Sequence, residues 1–231
     1  MNDHSSKQYD TELETIRSKV LLMGGIVETQ FNEAMAVFRT GNMDRAERVI
    51  AEDGNVNQLE VQLDDACSHL IVRRQPTAND LRTVMATIKV ITDLERIGDE
   101  AAKIARVGRD MHARGSLIMN NYDMLRSIST AAGDMLHDAL DAFARLDGAQ
   151  ALRLIDQDDV VDLEFNTITR NLITFMMEDP RTISTALDTL WVAKAIERIG
   201  DHAKNIAEYV IYVVEGKDIR HTRQYTPQEA P

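Results

Sequence analysis

A pentapeptide occurs twice in this chain, as Glu95-Arg96-Ile97-Gly98-Asp99 and, 102 residues later, as Glu197-Arg198-Ile199-Gly200-Asp201. At 3.6 residues per turn, positions i and i+4 stack on one helix face, so each copy aims two carboxylates at the same patch of space. Like charges at that spacing cost roughly 0.2–0.5 kcal/mol per pair when nothing neutralises them. A duplicated like-charge pair therefore points to cation binding.

A second acidic pattern precedes each copy. Asp53 and Asn57 are four apart, as are Asp158 and Asp162. Asp158 and Asp162 precede Pro180 by 22 and 18 residues, while Glu197 and Asp201 follow it by 17 and 21. Around Pro76 the same count pairs Asp53 and Asn57 with Glu95 and Asp99. An antiparallel helical hairpin turning at each proline would bring each set level. Four oxygen donors at one height suit a hard cation such as Mg²⁺, Mn²⁺, Ca²⁺ or iron better than structural Zn²⁺, which favours Cys and His. The candidate metal ligands are Asp53, Glu95 and Asp99 in the first half, and Asp158, Asp162, Glu197 and Asp201 in the second. Asn57 lacks a charge, which ranks the first set below the second. Against this stands a plain solvated face, in which Arg96, Lys103, Arg198 and Lys204 simply neutralise the acids.

Six segments of about 30 residues with helical periodicity must carry these residues. They are separated at Gly41-Asn42, Gln75-Pro76, Gly115-Ser116, Asp147-Gly148 and Asp179-Pro180. With 4 prolines, 11 glycines and 5% aromatics in 231 residues, an all-α protein follows. The segments also repeat as a set of three: Phe38, Ala46 and Asp53 match Phe143, Ala151 and Asp158 at an offset of 105, and Pro76 matches Pro180 at 104. The expectation is two tandem pseudo-symmetric antiparallel three-helix bundles, with six long helices, over residues 1–115 and 116–216. A polar C-terminal tail over 217–231 is expected to be poorly ordered. Apolar stripes run through Val90, Leu94, Ile97, Ala101 and Ile104, and through Val192, Ile196, Ile199, Ala203 and Ile206. The pentapeptide acids lie off those stripes, which predicts an outer face where Gly98 and Ala102 let something approach the backbone.

The formal charge of −12 argues against nucleic acid and against an anionic membrane surface, both of which need Lys and Arg. No window approaches the roughly 20 apolar residues of a membrane span. The N-terminus has no signal-peptide pattern, so a cytoplasmic protein is expected. The single cysteine, Cys67, reads as a buried structural residue. His202, beside Asp201, reads as a helix-pairing or solvated residue, since Glu100 stands at its counterpart. Di-iron oxidases use Glu-x-x-His, and none of the six histidines has a Glu three residues before it. No Ser/His/Asp or Cys/His set can be assembled from spacing. The chain is not expected to be an enzyme. A rival reading is a metal-independent helical adaptor, with Met23, Met35, Met85, Met176 and Met177 as a docking face.

These same residues resemble the PhoU family of bacterial phosphate-signalling proteins over essentially the whole chain. The resemblance rests on Arg73-Arg74-Gln75-Pro76, Asp93-Leu94-Glu95-Arg96-Ile97-Gly98-Asp99, Met176-Met177-Glu178-Asp179-Pro180-Arg181-Thr182 and Ala195 to Ala203 around the second pentapeptide. It implies two pseudo-symmetric bundles, each with an E(D)xxxD metal signature. That signature falls on Glu95/Asp99 and Glu197/Asp201, with Asp158/Asp162 as the matching pair. Implied cofactors are divalent or trivalent ions of Fe, Mn, Mg or Zn. The resemblance further implies a cytoplasmic negative regulator of the phosphate-starvation response that limits uptake. Such a protein couples the phosphate ABC transporter to a sensor histidine kinase, contacting membrane proteins without a span and forming a homodimer.

Overall fold

The computed structural model describes residues 3–115 and 119–220, with side chains over 7–115 and 122–220. Six long helices and one 3₁₀ turn form: α1 (Asp3–Thr40), α2 (Met43–Arg74), α3 (Ala78–Ala113), α4 (Met119–Arg145), α5 (Gly148–Glu178), the turn Pro180–Thr182 and α6 (Ile183–Glu215). Each break falls where the sequence places one. Asn42 and Asp147 cap α2 and α5 by accepting the backbone N–H of Arg45 and Gln150, each at 2.9 Å, a bond that contributes about 1 kcal/mol. Gly41 and Gly216 take the left-handed conformation that stops α1 and α6, at φ 66° and 75°.

Each repeat packs its three helices pairwise, α1–α2–α3 and α4–α5–α6. The repeats are not separate bundles, however. α3 packs along α6, α1 packs on α4, and the buried apolar side chains form one continuous core. α3 and α6 run antiparallel: Arg82 sits over the Tyr212 ring, Lys89 over Tyr209, and Arg114 pairs with Asp188 at the far end. α2 and α5 are the outer helices. Because α3 and α6 each touch three other helices, they bury far more than one stripe, including Asp93, Glu100 and Glu197. That overturns the expectation of an outer face for the pentapeptides.

The pentapeptide glycines also have a different use from the one expected. A Cβ on Gly98 would stand 3.2 Å from Gln30 Oε1 and 3.3 Å from Val56, and one on Gly200 would stand 3.3 Å from Val161. The missing side chains let α2 and α5 approach their hairpin partners, so no room is left for a ligand. Cys67 is buried, as expected. Of the methionines suggested as a docking face, Met23 and Met35 are core, whereas Met85 and Met177 are exposed. Residues 221–231 of the tail lie outside the described residues; ahead of them, Ile219 is buried.

Candidate metal centres

The hairpins α2–α3 and α5–α6 each hold an acidic cluster in their seam. In the second repeat, Asp158 is 4% and Glu197 8% exposed, with Asp162 and Asp201 half-buried beside them. Burial, then Glu197, Asp158 and Asp162, push the Asp201 carboxyl up to about 6. Asp162 is likewise raised by burial, Asp158 and Glu197. The four predicted carboxylates therefore do share one field. Two lysines enter it: Lys204 Nζ donates to Asp158 Oδ2 at 2.5 Å, and Lys194 Nζ lies 2.6 Å from both carboxylate oxygens of Glu197.

The first cluster has a different membership. Asp53, Glu95 and Asp99 come together as expected: Asp53 is raised by burial and Asp99, and Glu95 by burial, Asp99 and Asp53. Asn57 instead faces solvent. Its expected place is taken by Glu60, raised by burial, Glu95 and Asp64. Sequence spacing missed Glu60 because only i+4 was considered; i+7 from Asp53 is two turns along the same face. Neutralisation here is looser. Arg106 stands 3.6 Å from Asp53, and Arg96 3.5 Å from Glu95. Lys103 is drawn away to Glu100 at 3.0 Å.

Between the clusters, α3 and α6 share two polar knots. Arg198 of the second pentapeptide reaches across to Glu100, beside the first, at 2.7 Å. His202 Nδ1 lies 2.6 Å from Asp93 Oδ1, which also accepts from Asn205 at 3.1 Å. His202 is thus a helix-pairing residue, and so is its counterpart Glu100.

The residues present suit a hard cation in chemistry: all are carboxylates, and Asp53 Oδ1 and Asp64 Oδ1 are buried without a hydrogen-bond partner. Glu197 Oε2 also lacks a hydrogen bond of good geometry, although the Lys194 ammonium lies 2.6 Å from it. Among the described residues, no three His, Cys, Asp or Glu already converge as a closed ligand shell. Capture of an ion therefore requires carboxylates to turn inward and, in the second cluster, the lysines to give way.

Comparison with known proteins agrees with this duplication. The PhoU domain model matches twice, over residues 20–107 and 125–210, which places one pentapeptide in each match. The phosphate-specific transport system accessory protein PhoU of Serratia marcescens is 47% identical, over 96% of this chain and 90% of that one. Its Escherichia coli K12 counterpart is 46% identical, over 96% and 91%. The crystal structure of PhoU from Pseudomonas aeruginosa superposes with a TM-score of 0.87 at 44% identity, covering 90% of this chain and all of that one. That of the phosphate transport system regulatory protein PhoU from Streptococcus pneumoniae gives 0.83 at 25% identity, covering 91% and 98%. With both halves matched and relatives this similar along almost its whole length, the chain belongs to the PhoU family.

Proposed function

We propose that this protein is an accessory regulator of a phosphate-specific transport system, limiting uptake and restraining the phosphate-starvation response when phosphate is plentiful. It does so by linking the phosphate ABC transporter to a sensor histidine kinase from the cytoplasmic side, as a homodimer without a membrane span of its own. The names of the relatives support the transport role. No helix among the described residues is long and apolar enough to cross a membrane, which fits a peripheral partner.

The observation that carries the mechanism is the buried acidic cluster at the matching place in each repeat. Asp158, Asp162, Glu197 and Asp201 would hold a metal ion in the second, and Asp53, Glu60, Glu95 and Asp99 in the first; Fe, Mn, Mg and Zn are the candidates. A bound ion supplies positive charge that offsets the mutual repulsion of these acids. The chain's own part is to fix two acidic helices at contact distance through Gly98 and Gly200, and to tie the clusters together through Arg198 and Glu100. Neutralising the clusters then stiffens the slab and favours the surface that engages partners.

The lysines of the second cluster favour a second reading, a metal-independent adaptor, since Lys194 and Lys204 already balance half of its charge. A phosphate-starvation reporter in a deletion strain separates the possibilities. Complementation with the wild-type chain should restore repression at high phosphate, and Glu95→Ala/Asp99→Ala/Glu197→Ala/Asp201→Ala, which disables both clusters, should not. Full repression by that variant supports the adaptor. An unchanged reporter in the deletion strain contradicts the regulatory role itself.

A further inference from the structure

One acid joins the two clusters. Glu100 follows Asp99 in the chain and is 3% exposed. Its Oε1 is shared by two cations, Lys103 of its own helix at 3.0 Å and Arg198 of the second pentapeptide at 2.7 Å. Each of the two also stands beside a cluster. Burial pushes the Asp53 and Glu95 carboxyls up, and Lys103 pulls both down from a distance. Arg198 directly follows Glu197 and precedes Asp201 by three residues, a spacing at which helix neighbours meet.

The first repeat shows the other seat open to such an arginine. At the pentapeptide offset of 102 the counterpart of Arg198 is Arg96, which stays within its own motif, 3.5 Å from Glu95, the counterpart of Glu197. The counterpart of Glu100 is His202, which pairs with Asp93 and offers Arg96 no carboxylate across the seam. A pentapeptide arginine therefore has two arrangements, on an acid of the other repeat or on the first acid of its own motif. The Arg198 and Lys103 side chains are 44% and 48% exposed, so either can move without repacking the core. Glu100 itself is buried and must keep at least one of them, because an unpaired buried charge is costly.

Resting on the reading of both clusters as cation sites, we infer that Glu100 couples them with negative sign: an ion held by the first cluster weakens the second cluster's hold on its own. Positive charge among Asp53, Glu95 and Asp99 cancels their pull on Lys103 and settles that ammonium on Glu100. Arg198 then gives up the shared oxygen for Glu197, the arrangement Arg96 already has, and there it opposes an incoming cation. By linkage, an ion in the second cluster weakens the first by the same factor. The consequence is a graded response, in which the half-filled molecule persists over a wider span of ion concentration than two independent sites would give.

The test follows the Arg198 Nε–H resonance by nitrogen NMR, assigned through Arg198→Met, while Mg²⁺ is added to the full, metal-stripped chain; calorimetry with Mn²⁺ gives the affinities. Filling the first cluster should shift that resonance, and in Lys103→Met the shift should disappear. Although Lys103 belongs to the first repeat, Lys103→Met should also tighten the second binding event about fivefold. Arg198→Met should tighten it at least as much, with the helicity of both variants unchanged by circular dichroism. Two results overturn the coupling and leave the cation sites standing: a first binding event that does not move the Arg198 resonance, or a second event that Lys103→Met leaves unchanged. Absence of binding heat at both clusters overturns the coupling together with the reading on which it rests.

Discussion

The two acidic clusters descend from one pattern, yet they are neutralised in different ways. In the second, Lys194 and Lys204 sit in contact with Glu197 and Asp158. In the first, the matching positions are Thr92 and Ala102, Arg96 and Arg106 stand at 3.5–3.6 Å, and Lys103, paired with Glu100, acts on Asp53 and Glu95 only from a distance. The sequence ranks the second cluster as the better cation site, because Asn57 stands where the first would need a fourth carboxylate. The structure removes the reason for that ranking, and we propose the opposite order. Asn57 faces solvent, Glu60 restores the fourth acid, and buried oxygens of Asp53 and Asp64 lack partners. Where a lysine sits in contact with the acids, a metal ion has a competitor; where none does, more of the repulsion is there for an ion to relieve.

Removing the difference should have the largest effect. Lys194→Thr with Lys204→Ala gives the second cluster the composition of the first and leaves Glu197 and Asp158 buried without their cations. Breaking a buried pair costs roughly 3–5 kcal/mol, discounted to about 2 kcal/mol because both ammonium groups are partly solvated. Denaturant unfolding should show that loss in metal-free protein, and Mn²⁺ should recover most of it. Next, Glu95→Ala/Asp99→Ala should abolish the tighter binding event in a Mn²⁺ titration, whereas Glu197→Ala/Asp201→Ala should abolish only the weaker one. The gap between the two events should be about tenfold, or roughly 1.4 kcal/mol.

Smaller effects sharpen the membership of the first site. Glu60→Gln should weaken its ion affinity several-fold, while Asn57→Asp should leave it unchanged; isothermal titration of both variants checks this. The smallest concerns pH. With its carboxyl raised to about 6 in the folded protein, Asp201 binds more protons folded than unfolded. Its contribution to stability is complete below the ordinary aspartate range and is lost as pH rises through about 6. The melting temperature of metal-free protein should therefore rise by a few degrees as pH falls from 7 to 5, and Asp201→Asn should flatten that slope.

Much of the fold was legible because helices announce themselves by period and punctuation. Gly41, Gln75-Pro76, Asp147 and Pro180 each mark an observed turn, and counting from the prolines brought Asp158 level with Asp201. What was not legible came from contacts between repeats. Nothing local says that α3 lies along α6, so the burial of Glu100 and Glu197, and the pairing of His202 with Asp93, could not be read from one stripe per helix. The glycines misled for the same reason: Gly98 and Gly200 signalled close approach, but the approaching group was Val56 or Val161 rather than a ligand.

The central claim is that each hairpin seam is a cation site and that the first is the stronger. Calorimetric titration of metal-stripped wild-type protein with Mn²⁺, Fe²⁺, Mg²⁺ and Zn²⁺, alongside its melting temperature, tests it most directly. Two binding events of unequal affinity, with a rise in melting temperature and with the tighter event lost on Glu95→Ala/Asp99→Ala, are the result this account predicts. No heat and no change in melting temperature with any of the four ions would contradict it.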